Sequence, residues 1–156
     1  ETYPYRCDRL AVVLPAGHRL ATCAVLRYVD VLDHDVVALE SASVMMRLLA
    51  EQAAVAEKTL QLRIQVRSFE AVCRMVASGL GIGLLPFEAV NVLGRAMDLV
   101  VRPLTEPWAE RRMLLCIKRG RTPNPSLARL VAHLAGVDAA GRATAGHAAP
   151  ERSERA

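Results

Sequence analysis

The chain has 156 residues, 53% of them hydrophobic and 23% charged, enough for one domain with a core or two small lobes, which excludes wholesale disorder. No apolar run approaches the roughly 20 residues that a membrane-spanning helix needs. The net charge of +4 is carried by dispersed arginines, only Lys58 and Lys118 being lysine, and aromatics make up 4%, so direct nucleic-acid binding by this segment is not expected.

Leu10-Ala-Val-Val-Leu14 is a short apolar run ended by Pro15-Ala-Gly17, which predicts a strand and a turn. Residues 24–33 read as a short helical turn and connector, and Asp35–Leu39 as a second strand. Val44 to Lys58 has a helical pattern, with Met45, Leu48, Leu49 and Ala56 on its apolar face and Ser43 placed to cap it. Leu60, Leu62, Ile64 and Val66 alternate with Gln61, Arg63, Gln65 and Arg67, the period of a half-buried strand. Ser68 then opens a helix whose stripe is Phe69, Val72, Cys73 and Val76, with Glu70 near the positive end of its dipole and Gly79 as its stop. Ile82–Leu85 predicts a buried strand closed by Pro86, and 87–93 a short helix.

Residues 99–104 and 112–118 predict two further strands. Asn124 and Pro125 open a last helix, with Leu127, Leu130, Val131 and Leu134 at i, i+3, i+4 and i+7 and Gly136 as its stop. Residues 137–156 have no periodicity and are expected to be a disordered tail. Alternating strands and helices give an α/β fold with a largely parallel sheet.

Of the four cysteines, Cys23, Cys73 and Cys116 sit in apolar or helical patterns and are expected to be buried free thiols; Cys7 lies in a polar stretch. No CxxC occurs, and His18, His34, His133 and His147 lack local metal-ligand spacing, so no metal site is expected and the chain reads as reduced and cytoplasmic. The chain does not begin with Met, and residues 1–9 carry no signal-peptide pattern. Gly79-Leu-Gly-Ile-Gly83 follows a helix and precedes a strand, the reverse of a dinucleotide cradle; it reads as a helix end with close backbone packing, and no cofactor is expected. There is no G-x-S-x-G or H-E-x-x-H, Asp35 and Glu40 form no evident carboxylate pair, and His18 reads as a turn residue, so catalysis is not expected.

Two strand-to-helix junctions remain, Leu39–Ser43 and Val66–Glu70. In open α/β sheets ligands bind beyond the carboxyl ends of strands, where a hydroxyl and helix-terminal amides favour anions. Helix capping alone is the competing reading of both.

Together these segments resemble the effector-binding domain of the LysR-type transcriptional regulators. Pro15-Ala-Gly-His-Arg-Leu-Ala21 is similar to that family's P-x-x-H-P-L-A turn, with Arg19 where Pro is usual. The stretch from Ser68 to Pro86 resembles its V-x-x-G-x-G-I-x-x-L-P pattern, and the likeness extends over about residues 8–136. The resemblance implies a periplasmic-binding-protein-like fold of two α/β lobes, with residues 14–86 mostly the second lobe, 97–136 the return to an incomplete first lobe, and an N-terminally truncated chain opening at an interlobe crossover strand. It implies a small-molecule effector, expected to be anionic, near Ser41, Ala42, Ser43, Arg67, Ser68, Phe69 and the Gly83–Pro86 strand end. It further implies a homodimer or homotetramer that touches DNA only through a winged helix-turn-helix outside this chain, with no reaction catalysed. The alternatives are a fragment of an extracytoplasmic solute-binding protein and a small-molecule enzyme on a similar fold.

Overall fold

A computed structural model describes residues 2–40, 44–118 and 124–135. The strands are β1 (Thr2–Pro15), β2 (Val36–Leu39), β3 (Leu62–Val66), β4 (Ile82–Pro86), β5 (Leu99–Pro103) and β6 (Glu110–Cys116). The helices are α1 (Tyr28–Val31), α2 (Val44–Val55), α3 (Phe69–Ala77), α4 (Phe87–Ala96) and α5 (Pro125–Ala135), with short 3-10 turns at Arg19–Thr22 and Pro107–Ala109. The described residues divide into two compact units, one of residues 7–111 and one of residues 2–6 with those described between 112 and 135.

In the larger unit the strand order is β3-β2-β4-β1-β5. β2 pairs in parallel with β3 and β4, whereas β1 runs antiparallel to both β4 and β5. In the larger unit β2, β3, β4 and β5 therefore all run in one direction, as the alternation suggests, and β1 alone runs against them. Alternation of strands and helices fixes the direction only of strands joined by helical crossovers. β5 pairs with Ala11–Pro15 of β1 inside the larger unit.

β1 is the floor of the core. Leu10, Val12 and Leu14 point to one face, into a cluster with Leu26, Tyr28, Val31, Met46, Leu49 and Leu84. Val13 points to the other, with Val37, Val72, Cys73, Val76, Leu85 and Val90. Residues 10–14 are completely buried, so both faces of β1 are covered, and a continuous apolar run is what such a strand requires. On the first face the Tyr28 and Trp108 rings meet edge to face with centroids 5.0 Å apart. The Tyr28 hydroxyl donates to the Leu49 carbonyl at 2.8 Å, and burial pushes its pKa up.

β3 is an edge strand, and its alternation is less buried than its pattern suggests, with Leu62 exposed. Gly79 closes α3 at φ +74°, a backbone region that L side chains rarely adopt. At Gly83, in the middle of β4, a Cβ would lie 2.8 Å from Val72 Cγ1, so the missing side chain is what seats α3 on the sheet.

Only Cys73 of the four cysteines is buried; Cys23 and Cys116 are exposed, contrary to the sequence reading. Cys23 ends a 3-10 turn whose inward residue is Ala21, and Cys116 stands on the outward phase of β6. The neighbouring apolar residues made both look internal.

In the smaller unit β6 pairs with β1. α5 has the expected cap, Leu127 N donating to Asn124 Oδ1 at 2.8 Å. Its apolar stripe is not buried, Leu127 and Leu130 being exposed. The predicted stop at Gly136 and the tail at 137–156 lie outside the described residues.

Candidate functional site

The carboxyl ends of β2, β3 and β4 share one edge of the larger unit's sheet, set by the pairings Leu39↔Val66 and Val37↔Gly83. At this edge the Glu40 amide donates to the Val66 carbonyl at 3.0 Å, continuing the ladder by one residue. Arg67 Nε then donates to Glu40 Oε1 at 2.8 Å, and the Arg67 side chain is 85% exposed. The next residue, Ser68, turns the chain into α3: at φ −136° and ψ 153° it is extended, and its Oγ accepts from Ala71 N at 3.1 Å. Glu70 in the first turn is held by Arg74 at 2.7 Å.

β4 ends at the same edge and passes directly into α4. Because β1 is antiparallel, Leu10 pairs with Pro86, and Asp8 reaches the start of α4. Asp8 Oδ1 accepts from Glu88 N at 3.2 Å and from Arg9 N at 2.7 Å. Arg9 Nη1 donates to the carbonyls of Leu104 and Glu106 at 3.0 and 3.1 Å, and Nη2 lies 3.5 Å from Glu110. Cys7, Asp8, Arg9, Phe87, Glu88 and Glu110 line a shallow concavity of about 260 Å³.

The residues anticipated from sequence are thus only partly gathered. Arg67 and Ser68 lie at the strand ends and exposed, while Phe69 is half-buried against the core. Pro86 is at the edge but buried, and Gly83 lies within the sheet beneath Val72, where it packs. Ser41, Ala42 and Ser43 lie outside the described residues. Sequence reasoning missed Asp8 and Arg9 at this edge. They immediately precede the apolar run of β1, but only its antiparallel direction brings them here. It also saw Glu40 near a strand end without recognising its partner, Arg67.

This arrangement offers a guanidinium, a hydroxyl and the amides of a helix N-terminus, groups suited to holding a small anion. Among the described residues no group of three or more His, Cys, Asp or Glu is placed to hold a metal ion. No described helix is long and apolar enough to cross a membrane.

The fold is of the periplasmic-binding-protein-like α/β kind. The family model for the LysR substrate binding domain matches residues 3–139, and the chain belongs to that family. A probable RuBisCO transcriptional regulator of Synechocystis is 29% identical over 121 residues, covering 76% of this chain and 35% of the relative. The regulatory domain of Synechocystis CcmR, solved with 2-PG, superposes with a TM-score of 0.76 at 18% identity, covering 87% of this chain and 65% of that one. The effector-binding domain of QuiR, in complex with shikimate, gives a TM-score of 0.70 at 19% identity, covering 86% of this chain and 63% of that one. The chain thus spans about a third of the curated relative and just under two thirds of these solved domains.

Proposed function

We propose that this chain is the effector-sensing part of a LysR-type transcriptional regulator and that its ligand is a small anionic metabolite. The observation carrying this reading is Arg67 and the Ser68-capped start of α3 at the carboxyl ends of β2 and β3, in a chain of that family. The effectors named with two fold neighbours, 2-PG and shikimate, are consistent with an anionic ligand. In this reading residues 14–86 are mostly the second lobe, and residues 97–136 return to the first.

Effector binding favours one arrangement of the regulator over another, and so changes its hold on DNA; the ligand acts through its different affinity for the two states. The chain itself catalyses nothing. The whole protein is a cytoplasmic homodimer or homotetramer that contacts DNA through a winged helix-turn-helix.

The test is Ser68→Asp in the complete regulator, read by an effector-dependent transcription reporter. Asp caps a helix as well as Ser does, so the fold survives, while its charge opposes an anionic ligand. We expect thermal stability close to that of the unmodified protein with a lost or right-shifted effector response. An unchanged response would reduce Ser68 to a cap and remove the site from this edge.

A further inference from the structure

Away from the strand-end site, two histidines meet at the turn that follows β1. His18 precedes the 3-10 turn Arg19–Thr22, and its Nδ1 accepts from the Leu20 amide at 3.2 Å. His34 lies between α1 and β2, and its Nε2 is 3.0 Å from Arg19 Nη2. A guanidinium only donates, so His34 Nε2 is the acceptor. The two rings meet edge to face with centroids 4.8 Å apart. Each ring therefore uses an unprotonated nitrogen to hold the turn, His18 by capping it and His34 by gripping the arginine at its start.

We propose that His18, Arg19 and His34 form a proton-sensitive latch, closed while both rings are neutral and released when either takes a second ring proton. Protonating His18 at Nδ1 converts the cap acceptor into a donor facing the Leu20 amide. Protonating His34 at Nε2 sets a donor against the Arg19 guanidinium and places a second cation beside it.

The surrounding charges do not rescue the protonated form. Arg19 faces both rings from the turn. Asp33 and Asp35 approach from the segment between α1 and β2, but Asp33 is held by Lys58 at 2.6 Å and Asp35 by Arg63 of β3 at 3.2 Å. Burial, His34 and Arg19 lower the pKa of His18; burial and Arg19 lower that of His34 against the weaker opposite pull of Asp33 and Asp35. Folded-state pKa values below the ordinary histidine value mean that the latch's stabilisation is fully present above about pH 6.5 and is lost as pH falls through the folded values.

The latch ties down a turn that the core also uses. Ala21 is buried, and its carbonyl accepts from Arg102 Nη2 of β5 at 2.9 Å. Release therefore loosens a contact between the turn and the sheet.

The experiment uses the full chain. The ring Hε1 protons are titrated by NMR, with His18→Asn and His34→Gln identifying their signals and also testing the latch. Asn keeps a cap acceptor and Gln keeps an acceptor for Arg19, yet neither titrates. We expect both midpoints below the ordinary value of about 6.5. We expect the unmodified chain to lose roughly 3 °C more in Tm than the double variant between about pH 7 and pH 5, the loss of one cap-sized interaction. Midpoints at or above the ordinary value overturn the proposal, as does a double variant that loses as much Tm as the unmodified chain. The NMR titration of the unmodified chain decides the matter if the variants fold poorly.

Discussion

α3 and α4 start at the same edge of the same sheet, and their opening turns are satisfied in opposite ways. α3 is capped from within by Ser68, and its edge is populated by an exposed arginine. α4 has no cap from its own preceding residue, Pro86; its Glu88 amide is met by the carboxylate of Asp8, 80 positions away in sequence. At α4 a carboxylate from a distant strand takes a free helix amide, whereas at α3 a neutral hydroxyl does so, and the nearby carboxylates Glu40 and Glu70 are paired with Arg67 and Arg74. Two helix N-termini at one edge are thus not two equivalent anion sites. The α3 end, with its exposed arginine, is the one at which the proposed anionic effector would bind.

The largest test of this contrast removes the seat of α3. Gly83→Val forces a Cβ to within 2.8 Å of Val72 Cγ1. It should destabilise the larger unit by about 3 kcal/mol, as overpacking of a tight core does, measured by urea unfolding. Next comes the borrowed cap of α4. Asp8→Ala should cost about 1–2 kcal/mol, whereas Asp8→Asn, which keeps an acceptor, should cost less. Equal losses in the two variants would show that the carboxylate's charge, not its acceptor, stabilises α4.

Ser68→Ala should cost about 1 kcal/mol, the worth of an ordinary N-cap. The smallest stability effect is expected at Arg67. Its pair with Glu40 is exposed, so Arg67→Gln should change stability by less than about 0.5 kcal/mol. The same variant should weaken the effector response of the complete regulator by more than that figure explains. A response that follows stability alone would make the α3 end no more special than that of α4.

What the sequence discloses about this edge follows from how far apart the partners lie. Ser68 is legible because it and Ala71 are neighbours, and an N-cap is a local pattern. The same holds for Asn124 with Leu127. The antiparallel direction of β1 has no local signature, so Asp8 and Arg9 stay hidden until Leu10 is seen opposite Pro86. Gly83 reads correctly as close packing from its setting before an apolar run, yet its family pattern also draws it toward the ligand. The position of Val72 is what shows its packing role. Cys23 and Cys116 mislead for the reverse reason, since apolar neighbours in a short turn and on an alternating strand do not decide which way the thiol points.

Trp108 is the only tryptophan of the chain, and it rests against Tyr28 in the core layer that also contains Leu10 and Leu49. Its indole is an optical label supplied by the protein itself. An emission spectrum excited at the indole band reports this layer of the larger unit and is blind to α5, which carries no aromatic residue. Fluorescence and far-ultraviolet circular dichroism should therefore give coincident melting curves if the two units unfold together. Where the curves separate, the indole signal follows the residues packed against β1, and the difference follows the rest.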